Sequence, residues 1–184
     1  MLNRDLKMKE TVTEEELLKL AVKQGKPEAQ YNLAVLYRLG QGVPQDFKEA
    51  IRLYALAADQ GLPEAQSSLG YMYTHGIGVQ KDLKKALELT KMASDQGYAQ
   101  AQYNLAILSL QNHAILPLEE VFDLLKKASD QGHMNAQYNL GVMYYKGEGV
   151  KKDDDGALRL FKLAADQGEQ KASEILKALE KMQE

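Results

Sequence analysis

The side chains that could do chemistry in this chain are few and lie far apart in the sequence. The three histidines are His75, His113 and His133, and no two of them have the i, i+4 spacing with which a helix holds a metal ion. They fall in or beside segments that connect predicted helices. No serine stands in a nucleophile-elbow context, so no Ser-His-Asp arrangement is indicated. We therefore interpret the histidines as solvated loop residues.

A run of three aspartates, Asp153, Asp154 and Asp155, resembles half of a cation site. It stands where a predicted helix begins, and carboxylates at a helix N-terminus are stabilised by the helix dipole. We interpret the run as a helix cap, with cation binding as the alternative. Zero cysteines exclude a thiolate nucleophile, a disulfide framework and a cysteine-ligated zinc site. The sequence thus predicts no catalytic residue, no metal site and no cofactor.

A Gly-x-Gly-Val motif occurs three times, at residues 40–43, 76–79 and 147–150. Gly-x-Gly can indicate a phosphate-binding loop, but such a loop follows a strand and occurs once, whereas this motif follows predicted helices and recurs. We expect the glycines to end a helix and to permit positive φ in a tight turn, with the valine packing into the core.

The elements that position these residues repeat along the chain. The tripeptide Asp-Gln-Gly ends at Gly61, Gly97, Gly132 and Gly168, after a partial copy ending at Gly25, so the steps are 36, 36, 35 and 36 residues. Four residues after each glycine comes an alanine, with a leucine at +4 from that alanine and, in most copies, a small residue at +5 and a tyrosine at +8. These offsets share one face of an α-helix, which we call helix A.

A second helix, helix B, precedes each repeated glycine. It carries alanine four residues before the glycine, leucine eight before and usually alanine eleven before, which form one stripe that faces helix A. The N-cap candidates are Asp46, Asp82 and Asp153, with Glu49 as a capping-box partner. We expect Pro27 and Pro63 in the first turn of an A helix, and the aspartate of each Asp-Gln-Gly to cap the next A helix.

The pattern from Ala65 to Ala86 resembles the SEL-one-like repeat (SLR), a relative of the tetratricopeptide repeat, and the resemblance extends over residues 14–182. It implies an all-α fold, a right-handed α-α superhelix (solenoid) of about four 36-residue antiparallel helix pairs with a partial helix at each end. In that fold the A helices form the concave side and the B helices the convex side. Family members usually act as adaptors or scaffolds. One branch of the family is secreted and disulfide-bridged, and the absence of cysteine departs from it.

The repeat pattern also predicts the domain organisation. We expect residues 1–12 to form a disordered leader and residues 13–184 to form a single SLR solenoid. Its repeats span approximately residues 27–61, 62–97, 98–132 and 133–168, between an N-terminal cap helix at 13–25 and a C-terminal cap helix at 169–182. Polar residues at both ends, such as Glu14 and Lys177, replace small or apolar ones of the inner repeats and indicate terminal caps.

The third repeat is irregular. It is one residue shorter, and residues 112–117 replace the glycine loop. Ser109 stands where other copies have tyrosine, and Val121 where they have alanine. We interpret this as repeat decay with compensating volume, with a specialised contact at this corner as the alternative.

A helical wheel of helix A leaves offsets +2, +3, +6, +9 and +10 pointing away from helix B. The predicted partner-binding residues at these offsets, here called the concave face, are Tyr31, Asn32, Val35, Arg38, Ser68, Tyr71, His75, Tyr103, Asn104, Ile107, Tyr138, Asn139, Val142 and Tyr145. Tyrosine offers apolar area with a polar tip and asparagine can pair with peptide amides, which suits an extended peptide or a partner helix. The alternative is that several of these residues only pack between neighbouring A helices.

Composition narrows the class of function. The formal net charge of −3, from 23 basic and 26 acidic residues, predicts no nucleic-acid or anionic-membrane partner. The first residues lack the apolar stretch of a secretory signal, so we expect a cytoplasmic location and a monomer. The sequence therefore predicts a scaffold or adaptor for another protein or peptide, and not an enzyme. The alternatives are a regulatory subunit or weak enzyme with a site near the third repeat, and a self-associating structural unit.

The repeat register predicts where a core truncation is most costly. Leu69→Ala removes a leucine from the centre of the array and should lower the free energy of unfolding by about 2 to 5 kcal/mol. Leu176→Ala, in the last helix, should cost less because fewer neighbours surround it. Urea titration of both variants measures the two costs, and the opposite ranking would disprove the register.

Overall fold

The structure, a computed structural model, describes residues 14–112 and 115–181, and within these ranges the chain forms ten α-helices and no β-strand. The predicted leader at residues 1–12 lies outside the described residues. The helices are α1 (Glu14–Lys23), α2 (Pro27–Leu39), α3 (Phe47–Asp59), α4 (Pro63–His75), α5 (Leu83–Asp95), α6 (Ala99–Gln111), α7 (Leu118–Asp130), α8 (Met134–Lys146), α9 (Asp154–Asp166) and α10 (Gln170–Lys181).

The helices stack in sequence order, each packed on the one before and the one after it. The even-numbered helices from α2 to α10 are A helices, and the odd-numbered helices are B helices. Among the described residues, the one pair of non-consecutive helices in substantial contact is α4 with α6, both of them A helices. Closer approach of the A helices is what the inner side of a curved array requires. The predicted all-α solenoid is confirmed.

The buried stripe contains the residues that the repeat pattern predicts. The leucine at +4 and the small residue at +5 of α2, α4, α6 and α8 are buried, as are the alanines four residues before each glycine in α3, α5, α7 and α9. The tyrosine at +8 is only half-buried. A position that the pattern did not single out is buried as deeply, seven residues before each glycine, and is occupied by Tyr54, Thr90, Leu125 and Phe161. Helices α3, α5, α7 and α9 each pack against two A helices, so the buried stripe on each of them is wider than the surface that contacts a single helix.

Helix A approaches helix B most closely at the small residue at +5. A Cβ atom placed on Gly70 would lie 2.7 Å from Thr90 Oγ1, and one on Gly141 would lie 2.8 Å from Phe161 Cε1. Both distances are shorter than carbon atoms tolerate, so these two repeats require glycine at this point.

The B helices begin at the predicted aspartates. Asp82 Oδ1 accepts a hydrogen bond from the Lys85 amide at 3.0 Å, and Asp153 Oδ1 accepts one from the Gly156 amide at 2.9 Å. Asp46 caps α3 in the same way. The N-cap prediction is confirmed, and each cap satisfies an amide that has no partner inside its helix.

Two capping predictions are wrong. The Glu49 carboxylate binds the guanidinium of Arg52 and not the Asp46 amide, which donates to the Tyr37 carbonyl at 2.9 Å. The aspartates of Asp-Gln-Gly do not cap the next A helix, because the N-cap residues of α4 and α6, Leu62 and Tyr98, have no side-chain cap. In α4 the Gln66 amide donates to the Leu62 carbonyl at 3.1 Å, and in α6 the Ala101 amide donates to the Tyr98 carbonyl at 3.0 Å. Pro63, the first residue of α4, has no amide hydrogen that needs a partner.

The glutamine of Asp-Gln-Gly has a structural role that the repeat pattern did not assign. Its side-chain amide donates to the side-chain oxygen of the buried glutamine at +1 of helix A in the same repeat. The four pairs are Gln60 to Gln30 at 2.8 Å, Gln96 to Gln66 at 2.8 Å, Gln131 to Gln102 at 2.9 Å and Gln167 to Gln137 at 2.7 Å. Since an unpaired buried amide costs about 1 to 3 kcal/mol, this glutamine clasp joins the two helices of every repeat.

The corner of the third repeat departs from the others. Helix α6 ends at Asn112 with φ −128°, whereas α4 ends at Gly76 in the left-handed conformation with φ 71°. Ser109 and Val121, the two replaced core residues, are both buried. Residues 113 and 114 lie outside the described residues.

The Gly-x-Gly-Val loops end the A helices as predicted. Their first glycines have φ between 69° and 71°, and Val43 is buried. The second glycine has an additional role, because Gly78 packs against the Phe47 side chain of the preceding B helix so closely that a Cβ atom would collide with it. Gly42 has a similar φ of 73° but nothing within 4 Å of its Cβ position.

These two glycines form a matched pair for mutation. Gly42→Ala should lower the free energy of unfolding by about 1 to 2 kcal/mol, because only the left-handed backbone opposes the methyl group. Gly78→Ala should cost about 1 to 3 kcal/mol more, since Phe47 must also move. Urea unfolding of both variants measures the difference. Equal costs would contradict the contact between the loop and the preceding repeat.

Candidate partner-binding site

The concave face is partly exposed and partly used for packing. Tyr71 is 45% exposed and Tyr145 is 55% exposed. Tyr31, Tyr103 and Tyr138, the tyrosines at +2 of helix A, are half-buried. The concave face therefore contains two kinds of tyrosine, which differ in how much of the ring a partner can reach.

The half-buried tyrosines pack against other aromatic rings. Tyr31 lies against Tyr54, with ring centroids 5.6 Å apart, and Tyr138 lies against Phe161 at 5.9 Å. In both pairs the second ring is the residue seven positions before the repeated glycine. Packing within the array thus accounts for part of the surface of these tyrosines, and the contact is with helix B of the same repeat, not between neighbouring A helices as the alternative interpretation had it.

Tyr54 links the first A helix to the second. Its hydroxyl accepts a hydrogen bond from Arg38 Nε at 3.2 Å. Burial raises the pKa of the Tyr54 hydroxyl, and the hydrogen bonds of Arg38 and Ser68 oppose that rise. Because Arg38 belongs to α2 and Ser68 to α4, the Tyr54 side chain fills the space between these two helices.

The asparagines differ in their surroundings. Asn32 is exposed, whereas Asn139 is half-buried and donates to the Asn135 carbonyl at 2.7 Å. Asn104 Nδ2 donates to Ser67 Oγ on α4 at 3.3 Å. Val35 packs against the core of the first repeat. Only some of the predicted polar positions thus point toward open space.

His133 is not a solvated loop residue, and that interpretation is wrong. It is half-buried and is the N-cap of α8, where its Nδ1 accepts a hydrogen bond from the Ala136 amide at 3.2 Å. Its ring stacks on Tyr103 with centroids 4.7 Å apart, and its Nε2 lies 3.2 Å from Gln100 Oε1. Burial lowers the pKa of His133, which favours the neutral ring, and only an unprotonated Nδ1 can accept the hydrogen bond from the Ala136 amide.

The other two histidines have different positions. His75 is the last residue of α4 and is exposed, with its Nδ1 2.9 Å from the Tyr71 carbonyl oxygen and its ring 4.0 Å from the Tyr71 ring. His113 lies outside the described residues. Of the two histidines that the structure describes, His75 is exposed at the end of α4 and His133 is held between α6 and α8.

A cavity of about 150 Å³ lies between α4 and α6 and gathers five of the predicted concave-face residues. They are Tyr71, His75, Tyr103, Asn104 and Ile107. Thr74 and Gln111 also line it and stand at offsets +9 and +10, which the helical wheel turns away from helix B. The remaining two lining residues, Thr90 and Leu108, were not predicted, because they are buried and stand at offsets that the repeat pattern did not single out.

A wider groove of about 980 Å³ lies between α8, α9 and α10 and contains three more predicted residues, Tyr138, Val142 and Tyr145. Its other walls include Lys152 and Asp154, which form an ion pair at 3.2 Å. The predicted concave face thus separates into a small cavity in the middle of the array and an open groove at its C-terminal end. Tyr31, Asn32, Val35, Arg38, Ser68 and Asn139 line neither of them.

The acidic run caps a helix. Asp153 is the N-cap of α9, and Asp154 and Asp155 lie in its first turn. Among the described residues, no group of three histidine, aspartate or glutamate side chains is arranged to hold a metal ion. In the described part of the chain, no helix has the length and apolarity needed to cross a bilayer.

The repeat geometry and the sequence point to one family. The Sel1 repeat matches residues 27–62, 63–98, 99–113, 122–133 and 135–169. The chain belongs to the Sel1 repeat family. Proteins with this repeat fold generally act as non-catalytic scaffolds for other proteins.

Solved structures of Sel1 proteins are similar to this chain. A Sel1 repeat protein from Oxalobacter formigenes is 34% identical, with a TM-score of 0.81 over 91% of this chain and 49% of that protein. The protein c5321, a protective antigen present in uropathogenic Escherichia coli strains that displays an SLR fold, is 30% identical, with a TM-score of 0.80 over 87% of this chain and 34% of c5321. An immunity protein from Pseudomonas aeruginosa is 26% identical, with a TM-score of 0.60 over 86% of this chain and 59% of that protein.

This chain spans about half the length of the first of these proteins and about a third of the second. Among curated proteins, none matches this chain. The comparisons therefore establish the repeat family and the fold, and the partner has to be inferred from the surface of the chain itself.

The His133 cap makes stability depend on pH. The folded-state pKa of His133 lies below the unfolded value of about 6.5, so the unfolded chain binds the proton more readily. Stability from this residue is complete above that pH and is lost as the pH falls toward the folded-state pKa. His133→Asn keeps a capping oxygen without titrating, so its unfolding free energy should fall less on acidification. Urea unfolding across pH measures both profiles, and parallel profiles would contradict this role.

Proposed function

We propose that this chain is a non-catalytic scaffold or adaptor that holds a peptide or partner protein mainly on its concave face. The observation that carries the proposal is the cavity between α4 and α6, where five of the predicted concave-face residues line one depression. Exposed tyrosine and buried aliphatic groups beside amide side chains are the composition of protein-binding hot spots.

The charge of the surface supports a protein partner. The chain carries 23 basic and 26 acidic residues, and neither the cavity nor its rim contains a lysine or arginine. A phosphate backbone requires clustered positive charge, which the lining of the cavity between α4 and α6 does not offer. The proposal includes a cytoplasmic location and a monomeric chain.

Tyrosine truncation on the concave face tests the proposal. A triple variant, Tyr71→Ala, Tyr103→Ala and Tyr138→Ala, should lose native partners, because truncating even one aromatic hot spot costs on the order of 2 kcal/mol, about thirtyfold in affinity. The measurement is affinity purification from the native host with wild-type and variant chains, followed by mass spectrometry and by titration of each recovered partner.

The B helices provide a matched control on the convex side. Leu56, Met92 and Leu163 are 38%, 50% and 50% exposed and occupy the same position in three of the B helices, α3, α5 and α9. Replacing all three by alanine removes a similar amount of exposed apolar surface, yet it should leave partner binding unchanged. Circular dichroism and thermal melting verify that both triple variants are folded. If the concave variant keeps every partner while the convex variant loses them, the binding face is on the B helices.

A further inference from the structure

The second repeat differs from the others at two positions that face each other. One is +2 of helix A and the other is seven residues before the repeated glycine in helix B. The pairs are Tyr31 with Tyr54, Ser67 with Thr90, Tyr103 with Leu125 and Tyr138 with Phe161. Only the second repeat has two small side chains in this pair.

In the first repeat the large helix-B residue fills the space between two A helices. Tyr54 reaches both Arg38 of α2 and Ser68 of α4. In the fourth repeat Phe161 has the same place, packed against Tyr138 of α8 and within the cluster that includes Ile175 of α10. Tyr54 thus closes the inner wall of the first repeat, whereas Phe161 forms part of the lining of the wider groove between α8, α9 and α10.

Thr90 is too short to do this. It lies at the bottom of the space between α4 and α6, and that space is the cavity of about 150 Å³. Ser67 is also small, and its hydroxyl oxygen accepts a hydrogen bond from Asn104 Nδ2 of α6 at 3.3 Å. A cavity of about this volume is large enough for one benzene-sized group.

The proposal rests on the proposed binding role of the concave face and deepens it. We propose that the cavity between α4 and α6 is a specificity pocket that receives one uncharged phenylalanine, leucine or tyrosine side chain of a partner peptide. The chain itself supplies the argument for this occupant, because the position of Thr90 holds Tyr54, Leu125 or Phe161 in the other repeats, and each of these larger side chains is buried there.

The pocket lining agrees with an uncharged occupant. The nine lining residues include no carboxylate, ammonium or guanidinium group. Ile107 and Leu108 provide an apolar wall, and the exposed ring of Tyr71 borders the opening. Gln111 is exposed at the rim, where its amide can pair with the main chain of a peptide. A charged side chain would lose its hydration in this pocket without gaining a partner.

Two substitutions fill the pocket from below. Thr90→Phe recreates beside Gly70 the pair that Phe161 forms with Gly141, so the larger ring has a precedent in this fold. Thr90→Leu introduces the residue of the third repeat and adds less volume. Thr90→Val is the matched control, because it changes the same residue and leaves the pocket open.

The probes are single amino acids with blocked ends: N-acetyl-phenylalaninamide, N-acetyl-leucinamide and N-acetyl-tyrosinamide, with N-acetyl-alaninamide and N-acetyl-lysinamide as controls. Methyl resonances of Ile107 and Leu108 in NMR spectra report occupancy of the pocket. We expect saturable shifts with at least one of the first three probes, with a Kd on the order of 1 mM, as is usual for ligands of this size. Both controls should produce no saturable shift.

Filling the pocket should weaken probe binding at least about tenfold in Thr90→Phe and Thr90→Leu, whereas Thr90→Val should retain it. Circular dichroism and melting establish that the variants fold, and Thr90→Leu serves if Thr90→Phe does not. The proposal is overturned if none of the three apolar probes shifts the two methyl groups up to about 10 mM, a concentration above the expected Kd. It is also overturned if alaninamide binds equally well, or if shifts persist in both filled variants.

The outcomes separate this proposal from the proposed function. Loss of partners in the concave-face tyrosine variant without any probe binding would overturn the pocket alone. Probe binding that Thr90→Phe abolishes, together with partners that survive the tyrosine variant, would instead overturn the concave face as the main interface.

Discussion

The closest contact between the two helices of each repeat is the constraint on which the structure depends. At +5 of helix A, Gly70 and Gly141 leave no room for a methyl group against Thr90 and Phe161. A larger residue there would separate the helices and reduce the dispersion contacts of the leucines on both sides. Because the contact recurs at intervals of about 36 residues, it determines both the pairing within a repeat and the spacing of the next pair.

Polar interactions then fix the register of this apolar contact between helix A and helix B. The aspartate caps satisfy the first amides of the B helices, and the glutamine clasp satisfies a buried amide at the opposite end of each repeat. Leaving either group unpaired would cost about 1 to 3 kcal/mol, so a slip of one helix against the other is disfavoured. The second glycine of the loop connects this local order to the preceding repeat, because Gly78 lies directly against Phe47.

The inner surface is where the repeats are free to differ. The close contact between helices A and B restricts the residue at +5, but the residue seven positions before the glycine varies from threonine to tyrosine, and the smallest of these residues, Thr90, lies beneath a cavity. Tyr54 closes the space between α2 and α4, whereas Thr90 leaves a cavity between α4 and α6. A regular scaffold can therefore present a single irregular site, and the irregularity comes from a buried residue beneath the surface.

The sequence by itself determined the helices, the aspartate caps of three B helices and the close contact at +5, because each depends on residues within one repeat. The recurrence of leucine, alanine and glycine at helical spacing suffices to place Leu69 and Ala86 in the core. Tertiary structure decided what depends on the neighbouring repeat. His133 is a half-buried cap because Tyr103 and Gln100 of the preceding A helix lie beside it, and a single helical wheel does not contain those residues. For the same reason the repeat pattern did not assign Thr90 to a pocket, since the empty space above it exists only where α4 and α6 come together.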